Sequence, residues 1–422
     1  MPRTHENHTM GLRRSYLLNI YLSDLTRKLD PIEGKLKLGS TDINSLIWAD
    51  DIVLLAENEN NLAQMLDSVG TYCKDNKLTI NIDKTKCMIF NKTGKLLRHK
   101  FYLDGKELEN VRSYKYLGFL FSPSGEIKSG LQDLRDRGFK AFMKLRSQMG
   151  TSFNQNIEIT LNLIDIMIKP ILLYSSDFWG CLKLPKVNPI EKLHNMICKQ
   201  ILGVQTQTTN IGVLLELGRI PLEISAKKLA VKKWERISKQ QANDLLLASY
   251  NDALVEDLPW ISSIKNILET KGMFNYFINS YETKPFFVNK KLFQTLSDEF
   301  HQNAFESIRS DNSKLRTYAC FKTKIGFETY LAKIKNPNIR IEMTKFRLSN
   351  HNLMIETGRH KHIPRESRFC PFCRNMVETE LHFLLLCPIY TVLRNKMLDH
   401  IIVLSPSFVS YTNEEKKPIF TI

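Results

Sequence analysis

The sequence predicts an α+β protein in three stretches. A front part of short strands and hairpins with packed helices comes first, then a long, mainly helical part, then a small cysteine-bearing element. Three observations predict this. Up to Phe121, short apolar runs follow period two between turn residues. From Ile127 the apolar period changes to about three and a half. Near the far end stands the chain's one CxxC, followed by a His and a further Cys.

The chain has 422 residues, enough for roughly two to four domains with real cores. Hydrophobic content of 43% and mean hydropathy of −0.25 are those of a soluble globular protein. Lys+Arg of 60 against Asp+Glu of 44 gives a net charge of +16, spread along the chain, which favours a polyanionic partner, most simply nucleic acid. Met1 to Met10 is polar, so no secretory signal is visible, and no run approaches the ~20 apolar residues of a membrane helix. The expected location is intracellular, in nucleus and/or cytoplasm, with no membrane partner. Cys73, Cys87, Cys181, Cys198 and Cys320 have no near partner and read as reduced thiols.

Taken in order, Gly11 to Leu29 reads as an amphipathic helix with Leu18, Leu22, Leu25 and Leu29 on one stripe. Leu46-Ile47-Trp48-Ala49 is a strand, Asp50-Asp51 a tight turn, and Ile52 to Ala56 the returning strand. Leu62, Met65, Leu66, Val69 and Cys73 mark a second helix. Leu78 to Asn81 and Cys87 to Phe90 read as strands around the loop Asp83-Lys84-Thr85-Lys86. Phe101 to Leu108 is a hairpin turning at Asp104-Gly105, and Tyr114 to Phe121 is one strand stopped by Ser122-Pro123-Ser124-Gly125. Ile127, Leu131, Leu134, Gly138, Phe142, Leu145 and Met149 then form a helical seam, with Arg135, Arg137, Lys140, Lys144 and Arg146 off it. Further helices are Ile157 to Lys169 closed by Pro170, Pro189 to Leu202 closed by Gly203, and Leu222 to Gln241. Residues 243–345 are helical in pattern without an interpretable motif.

Two side-by-side carboxylates repel each other unless a cation joins them, and oxygen-only ligands suit Mg²⁺ or Mn²⁺. An Asp-Asp turn that merely faces water is the alternative. Cys370-Pro371-Phe372-Cys373, eight residues, His382, four residues and Cys387 form a Cys₃His set with the ligand types of a tetrahedral Zn²⁺ site. A pair of ordinary thiols near a helix is the alternative. Lys345, Arg347, Arg359, His360, Lys361, His362, Arg365 and Arg368 lead into it, interleaved with Phe346 and Phe369. Cations for phosphates beside rings for bases suit single-stranded nucleic acid.

The ordered series resembles the reverse transcriptase of LINE-type (non-LTR) retrotransposons. Trp48-Ala49-Asp50-Asp51 is similar to that family's (Tyr/Phe)-Ala-Asp-Asp box. Leu78 to Asn81 with Lys84-Thr85-Lys86 resembles the following palm motif, and Tyr116-Leu117-Gly118 the primer-grip turn. Pro170 to Tyr174 with Trp179-Gly180, and Leu215-Glu216-Leu217-Gly218-Arg219 with Pro221, resemble the thumb signatures. The family carries a similar CCHC element after its thumb. The resemblance implies a partial palm over 1–125, a helical thumb over 126–205, a helical connector over 206–345, a basic segment and zinc knuckle over 346–400, and a tail over 401–422.

By resemblance, the reaction is RNA-templated DNA synthesis on an RNA template with a DNA primer or target. Asp50 and Asp51 would hold the catalytic metals, and Lys84, or Lys86, would face the triphosphate. Tyr116, Leu117 and Gly118 would contact the primer, and Arg359, Arg365 and Arg368 single-stranded nucleic acid. Cys370, Cys373, His382 and Cys387 would hold Zn²⁺. The family's third catalytic carboxylate and its fingers belong to a segment preceding everything here. In Gly11-Leu12-Arg13-Arg14 with Ser15 to Tyr21, a Gly-and-Pro-containing link is missing. The expectation is an N-terminally truncated copy with little or no autonomous polymerase activity. A non-catalytic RNA or single-stranded-DNA binder, or a decayed product without function, are the competing readings.

Overall fold

The computed structural model describes residues 20–404, apart from 40, 240–242, 283, 311, 312 and 316. The chain divides into two compact units. One comprises residues up to 133 with 177–184 and 230–289; the other comprises 134–176, 185–229 and 290 onward.

In the first unit, helix α1 (Ser23–Leu29) puts Leu25 and Leu29 out of water beside Leu22. Leu18, the remaining member of the expected stripe, lies outside the described residues. Strands β1 (Leu36–Leu38) and β2 (Thr41–Ile43) pair antiparallel, as do β3 (Ser45–Trp48) and β4 (Asp51–Leu54). Helix α2 (Glu59–Asp75) is capped by the Asn58 side chain, which accepts the Asn61 N–H. Its Met65, Val69, Tyr72 and Cys73 join the α1 leucines in one core, against which Ile47, Ile52 and Leu54 of the β3–β4 hairpin pack. Leu66, one position along, faces a second core of Cys87, Phe101, Leu103 and Leu108. Full burial of such side chains is worth about 1.5–3 kcal/mol each, so α2 is the element on which both sheets rest.

That second core is roofed by β5 (Lys86–Cys87), β6 (Phe101–Leu103) and β7 (Lys106–Asn110), in the order β5-β7-β6. The β6–β7 turn is Asp104-Gly105, as the sequence predicts, and both residues have positive φ. The expected strand at Leu78 to Asn81 is not a strand: Leu78 and Ile80 lean on the cores without a paired neighbour. Of the expected strand Cys87 to Phe90 only Cys87 is paired, through β5. The expected single strand over 114–121 is two, β8 (Tyr114–Tyr116) and β9 (Phe119–Phe121), folded back on each other. Apolar content alone hides a turn made of Leu and Gly.

Helix α3 (Lys128–Met149) buries Leu131, Leu134, Phe142 and Leu145, the predicted seam, and leaves Lys140, Lys144 and Arg146 exposed. In the second unit, α4 (Ile157–Met167) stops before Ile168, and Pro170 lies in the first turn of α5 (Lys169–Leu172) rather than closing the earlier helix. A first-turn proline loses no hydrogen bond, because that N–H has no helical partner. Helix α6 (Pro189–Leu202) runs as predicted between its Asn188 cap and Gly203 at φ 68°. Helices α7 (Asn210–Glu216), α8 (Leu222–Ser238), α9 (Pro337–Arg347) and α10 (Met354–His360) follow. The helical reading of 243–345 holds, with Asp244–Val255, Pro259–Thr270 and Phe287–Arg309 among its helices.

Glu216, at the end of α7, is fully buried. Its Oε1 accepts from Arg347 Nε and from the Tyr330 hydroxyl, each at 2.6 Å. Arg347 Nη2 reaches Glu328 Oε2 at 2.7 Å, and Lys322 Nζ reaches Glu328 Oε1 at 2.6 Å. Two acids and two bases thus neutralise one another, with Glu216, Arg347 and Lys322 buried and Glu328 partly so. Burial works against the Arg347 charge, and Glu216 more than offsets it, pushing the guanidinium up. Arg347 therefore does not belong to the exposed basic run in which the sequence places it.

Candidate nucleic-acid and metal sites

The β3–β4 register sets Trp48 opposite Asp51 and Ile47 opposite Ile52. The two-residue turn is therefore Ala49-Asp50, one residue earlier than expected, and Asp51 opens the returning strand. Residues paired across a hairpin share a face. Ile47 and Ile52 take the core side, so Trp48 and Asp51 take the other. Trp48 is 62% exposed, and both carboxylates are exposed. Ala49 sits at φ 55°, a region that costs an L-residue about 1–3 kcal/mol. Among the described residues, no third His, Cys or carboxylate gathers with Asp50 and Asp51 into a metal-sized cluster.

The β8–β9 turn is Leu117-Gly118, with φ 43° and 81°. Two consecutive positive values are the type I′ geometry that matches strand twist; Gly118 adopts it freely and Leu117 does not. Phe119 seats this hairpin on α3 at Gly130, where a Cβ would meet the ring at 2.3 Å. Lys115 Nζ adds a 2.7 Å bond to Asp133 on the same helix. Burial first, then the Asp51 charge, raises the Tyr116 phenol above the usual range.

Lys84 lies in a turn built by Asn81, whose side-chain oxygen accepts the Lys84 N–H at 3.1 Å. The Lys84 side chain is exposed. Lys86 instead binds Glu109 across β5–β7, Nζ to Oε2 at 2.6 Å. Of the two lysines, Lys84 is the one whose ammonium is open to a ligand.

In the second unit, ligand atoms of Cys370, Cys373, His382 and Cys387 all lie within 4.8 Å of one another. Cys370 Sγ is 3.9 Å from Cys387 Sγ, and Cys373 Sγ is 3.4 Å from His382 Nε2. With Zn–S of about 2.3 Å, a tetrahedral edge is about 3.8 Å, so the set is already metal-sized. The backbone at Asn375 turns N–H toward the Cys373 sulfur and lowers that thiol's pKa; burial raises that of Cys370, against N–H groups from Cys373 and Phe372. Burial, opposed by Glu378, lowers His382 and favours the neutral, ligating imidazole. A short β-bridge, Phe369 to Val377, closes the hairpin. Phe383 lies between Phe346, tilted at 6.1 Å, and Tyr390, edge-on at 5.0 Å, while Phe369 and Phe372 are 49% and 60% exposed. These last two are largely open to solvent.

Arg365 is exposed. Arg359 pairs with Glu356 at 3.0 Å, its side chain still 40% exposed. Arg368 spends Nε on the Ile363 carbonyl at 2.9 Å and Nη1 on that of Ile355 at 2.8 Å. Sequence reasoning missed two residues that frame the cluster. Arg394 donates to the carbonyls of Leu384 and Cys387, and Glu378 is buried beside Cys370. Neither belongs to a periodic pattern that a sequence reading could use.

Residues 11–121 match the family described as reverse transcriptase (RNA-dependent DNA polymerase). A putative uncharacterized transposon-derived protein of Caenorhabditis elegans is 26% identical over 146 residues, 34% of this chain and 51% of that protein. The retrovirus-related Pol polyprotein from the type-1 retrotransposable element R2 of Popillia japonica is 28% identical over 28% of this chain and 21% of its own length. Its counterpart from the type-2 element R2DM of Drosophila melanogaster is 30% identical over 26% of this chain and 11% of its own. The matches thus span about half the length of the first relative and far less of the others. Among the described residues, no helix is long and apolar enough to cross a membrane. With its Asp-Asp hairpin and its Tyr-Leu-Gly turn both in the matched segment, residues 11–121 form a reverse-transcriptase-type segment, similar to the R2 retrotransposon Pol polyproteins and consistent with a LINE-type (non-LTR) reverse transcriptase.

Proposed function

We infer that this chain takes part in RNA-directed DNA synthesis, with Asp50 and Asp51 as metal-binding carboxylates and Tyr116-Leu117-Gly118 as the turn that holds the primer end. The reading is supported by two observations: the register puts Asp51 on the face of β3–β4 turned away from the core, and its charge, after burial, holds the phenol of Tyr116, two hairpins on in sequence, above the usual range. Mg²⁺ or Mn²⁺ held by those carboxylates would supply the charge that aligns a 3′-hydroxyl with a leaving pyrophosphate. Lys84 offers a cation to the triphosphate, and the outer side of α3, with Lys140 and Lys144, offers cations to the backbone of template and primer. The β3–β4 hairpin, packed on the α1–α2 core, and the β8–β9 hairpin, seated on α3 at Gly130, would hold the carboxylates and the Tyr-Leu-Gly turn without a substrate present.

In the second unit, Cys370, Cys373, His382 and Cys387 bind one Zn²⁺ with no open position, a structural site. Arg359 and Arg365, and Arg368 through its remaining donors, present the neighbouring surface to single-stranded RNA or DNA. The chain would then act inside the cell, in nucleus or cytoplasm, where such partners are.

The test is primer extension on an RNA template, with the 422-residue chain alone and with a polypeptide supplying a third carboxylate. Extension that requires the added polypeptide and disappears in Asp50→Ala supports the reading. A second reading, a non-catalytic binder of RNA or single-stranded DNA, is favoured by one observation: Asp50 and Asp51 gather no third ligand among the described residues. Reconstituted mixtures that bind template tightly and never extend it would select this second reading.

A further inference from the structure

Helix α10 has seven residues, too few to be stable alone in water. Its first-turn N–H groups need partners: that of Glu356 finds the Leu353 carbonyl at 2.9 Å, and the first two end on Glu378. Met354 N donates to Glu378 Oε2 at 2.6 Å, and Ile355 N donates to the Glu378 carbonyl at 3.2 Å. The other Glu378 oxygen, Oε1, accepts from Cys370 Sγ at 3.7 Å. Glu378 N in turn donates to the Arg368 carbonyl at 2.9 Å. The Arg368 guanidinium returns to α10 and its exit, at Ile355 and Ile363. The fit is close: a Cβ on Gly358 would lie 2.7 Å from Arg368 Cγ. The helix is thus tied at its start and its end to residues 368–378, the segment that carries the first two thiols.

We propose that Glu378 is the positioning residue through which metal loading of the Cys₃His cluster orders helix α10 and the basic stretch it carries, Arg359 to His362. The inference rests on the metal reading above. The hairpin 369–377 holds a two-residue bridge and exposed aromatics, so it has little apolar core of its own. Small elements of this kind fold with their metal. When the hairpin opens, Glu378 leaves the start of α10, Arg368 leaves Ile355 and Ile363, and a helix of this length cannot stand. Linkage then runs both ways: whatever binds the ordered basic stretch must tighten the hold on the metal by the same factor.

The experiment is amide hydrogen exchange on the full chain, stripped with a chelator and then titrated with Zn²⁺, with zinc content measured in parallel. In the native protein, one equivalent of zinc is expected to slow exchange at residues 355–363 by about tenfold or more. Glu378→Ala should still bind one zinc but lose that response in α10. Glu378→Gln keeps an oxygen for Met354 N–H and gains an N–H for the Cys370 sulfur, so it should restore the response. Zinc bound with α10 exchange unchanged overturns the coupling and leaves the metal site standing. An equal response in the native chain and Glu378→Ala overturns the role of Glu378. No zinc bound overturns both inferences. A full exchange response with single-strand affinity unmoved by zinc supports the coupling and counts only against Arg359 as a phosphate contact.

Discussion

The charge of Asp51 reaches the phenol of Tyr116 and, after burial, is the largest cause of that group's raised pKa. Tyr116 therefore works as a built-in reporter of what happens at Asp51. A divalent cation bound there should cancel the Asp51 charge and bring the Tyr116 pKa down. Ring-labelled tyrosine NMR across a pH titration reads this directly. Asp51→Asn should lower the same pKa without metal and abolish the response to Mg²⁺. A Tyr116 titration unmoved by Mg²⁺ in the native protein counts against metal at this hairpin. A group whose folded pKa lies above its unfolded value of about 10 contributes stability below pH 10, which is lost as pH rises through the folded value.

Glu216 and Arg347 should be expensive to separate. Removing one partner of a buried pair leaves the other charge uncompensated, at a cost of about 3–5 kcal/mol. Arg347→Ala is expected to lower the denaturant midpoint by that equivalent, whereas Lys345→Ala, two residues away in an exposed pair with Glu342, should change it by less than about 1 kcal/mol. Similar losses in the two variants would mean that the buried network is not what holds α7 to α9.

Binding of single-stranded RNA should weaken steeply with salt. Each neutralised phosphate contributes about 0.7 to the log–log slope, so Lys140→Ala with Lys144→Ala should flatten it by about 1.4. An unchanged slope would take α3 off the phosphate path.

The cysteine cluster should be sensitive to acid. Ligands must be deprotonated to hold metal, so lowering the pH releases zinc. Burial keeps His382 neutral to lower pH than an ordinary imidazole, so the thiols rather than the histidine should govern release. Cys373→Ser should reduce zinc below one equivalent and open residues 365–390 to protease. Elemental analysis and limited proteolysis check both.

What the sequence made legible had a local cause. Asp104-Gly105 announces its turn because both residues tolerate positive φ, and Pro189 with Gly203 brackets a helix because one suits its first turn and the other ends it. The Cys₃His set was legible because its chemistry fixes residue types and spacing. What stayed hidden depends on partners distant in sequence. Ala49 rather than Asp51 occupies the turn because Ile52 has to meet Ile47 over a core that includes α2. Leu117 turns because strands on either side of it pair, although its composition reads as strand. Arg347 looked like a surface cation until Glu216, far earlier in the chain, proved to be its partner.

The β3–β4 pairing also guards its own alignment. Side chains on a strand alternate faces, so a slip of one residue would move Ile52 to the open side and turn Asp51 toward the α1–α2 core. An unpaired carboxylate there would cost several kcal/mol, and the buried isoleucine contact would be lost as well. The hairpin therefore has one affordable register, and in it Asp51 points outward beside Trp48. A misaligned copy of this hairpin would be an unfolded one, so the orientation of the acidic pair is proofread by the same leucines and isoleucines that hold the fold together.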